Sequence, residues 1–367
     1  MKNYLTDEQF AICVALASRL HWIRIAEDGV IEIYLDHHAL STFRSCPAKF
    51  KLEMIDGRRP KATAGSAGTG SWSLDFGILF HKVMEYYYTN FRSPDFSAAT
   101  AIAYATKQWH EMGFQSWSAA DGYKNVGGLE GFQWLINFYF AKYATENERL
   151  RVIGTELYFG KGKEVPLQLE ATSAAPFRLF YSGKIDLLID NGFSLGPLDH
   201  KTSSNFKGKD PNLGYMIQDG MTGYVFASKY MVRDVLKLHP LARKTNMILM
   251  NYVQVARAKD LQSQFKRVPL YKSDAELEQW RLRQIATVRD ILNSTWGLFS
   301  DPPLPFWYDT SHCTNTYYRE CIFFPVHRIA DPANQLVVLN NDYDIKPVWN
   351  PETRDEKEQA AVAAGKD

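Results

Sequence analysis

The stretch "YSGKIDLLIDNGFSLGPLDHKTSS", residues 181–204, sets Asp186 and Asp199 thirteen positions apart and places Lys201 two residues after the second. Its centre, Asn191-Gly192, is a hairpin signal, because a type I′ turn needs positive φ and this pair adopts it cheaply. With those two residues as the loop, Asp190 faces Phe193 and Asp186 faces Pro197, which leaves Asp199 diagonal to Asp186. Side chains alternate along a strand, so Asp186, Asp199 and Lys201 share one face. Diagonal neighbours lie about 7–8 Å apart, close enough for two short carboxylates to converge on one cation. Pro197 cannot donate to a ladder, so a bulge at Gly196-Pro197 would break this count.

Two readings fit the trio. Two carboxylates aimed at one point repel unless a cation neutralises them, and a divalent metal does so most simply. A lysine beside such a metal can hold or help deprotonate an attacking water and can offset charge building on a phosphate. The other reading is a solvated, charged hairpin face. Spacing does not choose between them, because Asp331, Asp344 and Lys346 repeat Asp-x12-Asp-x-Lys and Asp355-x-Lys357 repeats its short half. Context separates the copies: Asp186 sits inside the alternating "GKIDLLI", whereas Asp331 opens "DPANQ", read as an Asp-Pro loop.

Around this hairpin, 367 residues with 46% hydrophobic and 14% aromatic content are enough for one elaborate domain or two simple ones. No apolar run approaches membrane-spanning length, so membrane insertion is not expected. Four cysteines are too few and too scattered for a disulfide framework, which points to a reducing, cytoplasmic setting. A net charge of +1 leaves nucleic acid open, provided that any basic face is local.

Thr6 and Gln9 form a capping box for a first helix with Phe10, Cys13, Val14 and Leu20 inward. A hairpin over 22–34 follows, then "STFRSCPAKFKLEM" with Ser41 as N-cap, then the Gly/Ala/Ser-rich loop 57–71. Helices are expected at about 76–90, 98–112 and 129–147. The last carries Phe132, Trp134, Phe138 and Tyr139 at helical spacing, a core stripe. Strands follow at 151–160, 177–189 and 194–201, a helix at 212–236, strands at 246–257 and 265–271, and a helix from Asp274, its cap, to about Asn293. The order implies an α/β fold, a small mixed β-sheet with helices on its faces. The tail 351–367 lacks apolar anchors and is expected to be flexible.

"GKIDLLID" and "LGPLDHKTSS" resemble motifs II and III of the PD-(D/E)XK nuclease superfamily, in its RecB-like, AddB-like exonuclease branch, which also includes CRISPR-adaptation nucleases. "LSTFRSCPAKFKLEM" resembles that branch's lead-in helix, "GILFHKVMEYYY" its Gly-x-x-x-His-x-x-x-Glu helix, "TELYF" its Glu-bearing strand and "MTGYVFASKY" the helix after motif III. The resemblance runs from about residue 40 to 231 and implies a restriction-endonuclease-like core with helical additions. It implies one nuclease domain over 1–350: a mostly helical region 1–150, a sheet core 151–272 and a C-terminal helix with a metal clasp in 273–350.

By position, the resemblance makes Asp186 and Asp199 metal-binding carboxylates, Lys201 the catalytic lysine and His81 a further metal ligand. His200 would lend its backbone carbonyl, and Glu156 would be an acid near the metal. Read alone, His81 is a satisfied helix histidine and Glu156 a solvent-facing strand residue. The branch's Gln-x-x-x-Tyr is altered: Tyr224 fits, but Gly220 stands at the glutamine position and Gln218 lies two residues early. Tyr224 and Gln218 are the corresponding DNA or active-site contacts.

Several RecB-like nucleases hold an iron-sulfur cluster by four cysteines. Cys46 matches the first, and Cys313, Cys321 and His327 follow, with Tyr318 where another cysteine belongs. Three thiolates and an imidazole suit an iron-sulfur cluster or Zn2+, and free packed thiols remain the alternative. Arg44, Lys49, Lys51, Arg58, Arg59 and Lys61 crowd one segment, and Lys207 and Lys209 follow Lys201, which suits phosphate contacts or merely a solvated face. The resemblance implies a Mg2+- or Mn2+-dependent deoxyribonuclease, an exonuclease of DNA recombination, repair or replication. The alternatives are an inactive DNA-binding scaffold or a subunit dependent on a helicase or CRISPR-adaptation partner, since the sequence has no Walker-type phosphate loop.

Overall fold

The computed structural model describes residues 4–61, 72–114, 128–203, 218–235, 245–255, 265–300, 303–307, 313 and 321–346. Most of the 57–71 loop, Lys207, Lys209, Tyr318, Asp355, Lys357 and the tail 351–367 fall outside them. In chain order the elements are α1 (Asp7–Ala17), β1 (Ile23–Ile25), β2 (Ile31–Leu35), α2 (His37–Ser45), α3 (Pro47–Phe50), a π-helical turn (Lys51–Ile55), β3 (Arg58–Pro60), α4 (Trp72–Asn90), α5 (Ala98–Glu111) and α6 (Gly128–Arg149). Then come β4 (Arg151–Phe159), β5 (Val165–Gln168), β6 (Phe177–Tyr181), β7 (Gly183–Asp190), β8 (Leu195–Ser203), α7 (Asp219–Tyr230), β9 (Met247–Gln254), β10 (Phe265–Tyr271), α8 (Asp274–Gly297), α9 (Phe324–His327), α10 (Pro332–Asp342) and β11 (Tyr343–Ile345). The chain divides into two compact units, each discontinuous in sequence.

The first unit comprises Met1–Ala64, Tyr158–Gly183 and Glu278–Asp367. Its larger sheet has the order β1-β2-β6-β5, and β3 pairs with β11. The capping box of α1 is present, with Gln9 N–H donating to Thr6 Oγ1 at 3.2 Å and Thr6 N–H to Gln9 Oε1 at 3.1 Å. Cys13 is core, but Val14, expected inside, is exposed, because the buried stripe runs through Ile12, Cys13 and Leu16. Three terminal assignments also move. Asp36, not Ser41, caps α2 by accepting from Ala39 N–H at 2.7 Å, and Ser41 lies inside the helix. Ser273, not Asp274, precedes α8 and exchanges hydrogen bonds with Glu276. Asp331 is no loop residue but the N-cap of α10, accepting from Asn334 N–H at 3.0 Å with Pro332 in the first turn.

The second unit, Gly65–Leu157 with Lys184–Leu277, holds a five-stranded sheet of order β10-β9-β8-β7-β4. Neighbours β9/β10 and β7/β8 are antiparallel, and β8/β9 are parallel. Helices cover both faces. Leu187, Ile189, Leu198, Met247, Leu249 and Val253 pack into a cluster with α4, α5 and α6, in which Phe132 and Tyr139 are fully buried. Ile248, Met250 and Tyr252 face the opposite way, onto Met221 and Val225 of α7. The sheet is mixed, small and flanked by helices, as expected, and the two covered faces explain why β7 and β9 read as nearly continuous apolar runs.

The central hairpin forms, but with a longer loop. The rungs run from Leu187 opposite Leu198 to Asp190 opposite Leu195, leaving residues 191–194 as the turn. Asn191 Oδ1 accepts from the N–H groups of Phe193 and Ser194 at 3.0 and 2.8 Å, and Gly192 takes φ +90°. Asn191 thus closes a wider turn with its own side chain, instead of sitting in a two-residue one. Two extra loop residues preserve parity but slide the register, so Asp186, continued one step past the last rung, comes opposite Asp199 and not Pro197. Pro197 pairs with Leu188 without a bulge.

Candidate active site

The β7/β8 ladder stops at Leu187–Leu198, whereas β8 continues along β9 to Ser203. Residues 184–186 and 199–203 therefore lie past the last shared rung, where side chains and not ladder bonds join the strands. His200 N–H donates to Asp186 Oδ2 at 3.1 Å. His81, from α4, meets both: its Nε2 lies 3.0 Å from the His200 carbonyl oxygen and its Nδ1 3.3 Å from Asp186 Oδ2. Gly77, one turn before His81, faces β8 closely, and a Cβ there would stand 3.3 Å from Thr202 Oγ1, a tight contact.

That geometry sets the tautomer. A carbonyl only accepts, so Nε2 carries the proton and Nδ1 is turned to the carboxylate. A bare Nδ1 lone pair against a carboxylate oxygen would be repulsive; it is tolerable if a second proton or a cation sits there. Burial, the largest single influence, would lower the His81 pKa, but the neighbouring carboxylates, Asp186 above all and then Asp199, together raise it. Burial opposes the Asp186 charge in turn, yet the His81 and Lys201 charges hold its carboxyl well below the usual range.

Glu156 completes the group. It is the one non-glycine among the described residues with positive φ, +49°, and this left-handed residue breaks the alternation expected for "TELYF". Such a conformation costs about 1–2 kcal/mol and so needs compensation from its surroundings. His81, Glu156 and Asp186 each offer a ligand atom within 4.8 Å of the others, and no further set of three or more histidines, cysteines or acids does so among the described residues. Burial raises the Glu156 pKa against the pull of its ion-pair partner Lys184.

Asp199 and Lys201 form a pair of their own. Lys201 Nζ donates to Asp199 Oδ1 at 3.0 Å and lies 2.8 Å from Oδ2. Among the described residues no aligned donor reaches the fully buried Oδ2, although the Lys201 ammonium lies close to it. Burial pushes the Asp199 pKa up, whereas Lys201, despite its burial, is held well above the ordinary lysine value by Asp199 and Asp186. Asp199 stands outside the close group of three, with both carboxylate oxygens near the Lys201 ammonium.

The remaining expected residues separate. The His200 carbonyl faces the site, but its ring points to the other side of the sheet, where Tyr88 and Tyr139 surround it. Tyr224 on α7 lies within electrostatic range of Lys201. Gln218 is the exposed N-cap of α7 and makes no side-chain capping bond. In the first unit Cys313 Sγ is 3.9 Å from His327 Nδ1, and Cys321 N–H donates to the Cys313 carbonyl at 2.8 Å. Among the described residues, Cys313, Cys321, His327 and Cys46, which is buried at the α2/α3 junction, include no three mutually close ligand atoms. Of the expected basic face, Arg44 donates to Gln284, Lys51 pairs with Asp56, Arg59 with Glu53, and Arg58 and Lys61 donate to carbonyls of α10, so five of those six cations have internal partners.

Lys184 escaped sequence reasoning, although its place two residues before Asp186 puts it on the same strand face. Three acids, Glu156, Asp186 and Asp199, thus meet three bases, Lys184, Lys201 and His81. Carboxylate oxygens with one imidazole, as Glu156, Asp186 and His81 supply, are a donor set for Mg2+ or Mn2+. The residues present fit a hard divalent cation.

No helix among the described residues is long and apolar enough to cross a membrane. A search among curated proteins finds no match to this chain. A family profile, that of the PD-(D/E)XK nuclease superfamily, matches residues 35–314, which takes in every residue of the site. That match covers well over half of the sequence, and the chain belongs to the PD-(D/E)XK nuclease superfamily.

Proposed function

We propose that this chain is a Mg2+- or Mn2+-dependent deoxyribonuclease of the RecB-like branch, acting as an exonuclease in DNA recombination, repair or replication. The observation that carries the metal centre is the convergence of His81, Glu156 and Asp186 ligand atoms within 4.8 Å. The motif order quoted above supports the branch and the exonuclease mode. The family match runs through segments of both units, which supports a single nuclease domain.

In this reading Asp186, Glu156 and His81 hold the ion, and Asp199 joins them. When bound, the ion polarises a phosphate oxygen and makes a bound water a better nucleophile. His200 fixes the first ligands from the backbone: its N–H orients Asp186, and its carbonyl keeps the His81 proton on Nε2 so that Nδ1 can coordinate. Lys201, ion-paired with Asp199, orients the attacking water and stabilises charge that builds on the phosphate. Tyr224 on α7 is the corresponding DNA contact in this reading.

Digestion of labelled linear and circular DNA with Mg2+, Mn2+ or EDTA, beside Asp199→Ala and Lys201→Ala, tests the proposal. Metal-dependent loss of linear DNA alone, abolished in both variants, is expected. Equal digestion by the variants would refute the site. Binding of DNA without cleavage under any metal would mark an inactive module.

A further inference from the structure

Behind the metal site, on the face turned to α4, α5 and α6, three polar residues lie side by side on three adjacent strands. Arg267 of β10 pairs with Asn251 of β9, and Asn251 with His200 of β8. Arg267 Nε donates to Asn251 Oδ1 at 3.3 Å, which fixes the amide orientation, so Asn251 Nδ2 donates to His200 Nδ1 at 2.7 Å and to Tyr139 OH at 3.1 Å. The other guanidinium nitrogens reach Tyr88 OH at 2.5 Å, Tyr139 OH at 3.0 Å, Asn147 Oδ1 at 3.0 Å and Glu146 Oε1 at 2.8 Å. The plane also lies over the Tyr143 ring, 3.7 Å from its centroid. Asn251 is fully buried and the Arg267 side chain 4% exposed.

A buried guanidinium is an expensive way to fill a core, because its desolvation is only just offset by good partners. Its placement gives it a use. β8 has no ladder partner on the β7 side at His200, where the backbone N–H and C=O serve Asp186 and His81 instead. A strand held from one side only needs its side chain clamped to keep those groups on target.

We propose that Arg267 and Asn251 are positioning residues for the metal centre: they lock the His200 ring and, through it, the backbone groups that aim Asp186 and His81. The inference rests on the metal-site reading and concerns the full chain.

Arg267→Gln and Asn251→Leu test it. The second keeps the volume, removes both the donor to His200 and the acceptor for Arg267 Nε, and leaves Arg267 its other partners, so it carries the test if the first fails to fold. Three quantities are read: exchange of the His200 amide proton by NMR without metal, Mn2+ affinity by calorimetry, and kcat against KM for linear DNA. Expected are local loss of His200 amide protection with the Leu249 amide unchanged, Mn2+ binding weakened about tenfold or more, and a fall in kcat at constant KM. Arg267→Lys, which keeps the charge but not the fork, recovers only part of the loss. Unchanged His200 exchange and Mn2+ affinity in a folded variant would overturn the inference. A wild-type chain that binds Mn2+ without cutting DNA would sink the nuclease reading and leave this one standing, because its first two readouts need no cleavage.

Discussion

The spacing Asp-x12-Asp-x-Lys occurs three times in this chain, at 186/199/201, 331/344/346 and 342/355/357, and the first two copies do different things. At 186, 199 and 201 it spans an antiparallel hairpin, so parity brings both carboxylates and the ammonium to one side of a sheet. At 331, 344 and 346 the same interval contains α10: Asp331 caps its first turn, while Asp344 lies in β11 opposite Arg59. A helix of eleven residues and a hairpin consume similar lengths of chain but deliver the ends to unrelated places. Secondary structure between the residues, not their separation, makes a site.

The comparison breaks most visibly on Asp186→Asn. Its DNA cleavage should fall about 10³-fold, whereas Asp344→Asn should leave the rate within about twofold. Equal losses from both would mean that the first copy has no special role. The lysines sharpen the contrast at smaller scale: Lys201→Met should lower kcat about 10²-fold with little change in DNA binding, and Lys346→Met should do nothing measurable.

A third variant, Glu156→Gln, asks whether the left-handed residue belongs to the metal group. Mn2+ affinity should weaken about 10–100-fold, and an unchanged affinity would return Glu156 to a structural role in its ion pair with Lys184. Smallest is the effect that only the second copy should have. Asp331→Ala removes an N-cap and should cost about 1 kcal/mol in thermal or urea unfolding, with nuclease activity unaltered.

The sequence made the hairpin, the mixed sheet and the order of helices readable, because alternation, Asn-Gly and capping patterns are local signals. The register was read two residues off, since Asn191 closes either a two-residue or a four-residue turn and the choice depends on tertiary packing. Parity survived because the error was even. Caps moved for a related reason: Asp36 and Ser41, or Ser273 and Asp274, are all good N-caps, and composition does not say which the fold uses.

His81, Asp186, Asp199 and Lys201 were legible through motif order. The left-handed backbone of Glu156 and its pairing with Lys184 were not, because a glutamate in a strand carries no mark of unusual φ. Asn251 did leave a trace, an amide inside the apolar run "MILMNYV", but its link to Arg267 and His200 needs three strands in register.

The central claim is that His81, Glu156, Asp186 and Asp199 surround one divalent cation. Anomalous diffraction from crystals of the chain grown with Mn2+ tests it directly. The account predicts a peak about 2.0–2.3 Å from a carboxylate oxygen of Asp186 and from His81 Nδ1, with Lys201 beside it. A peak elsewhere, or none here at saturating Mn2+, would contradict it.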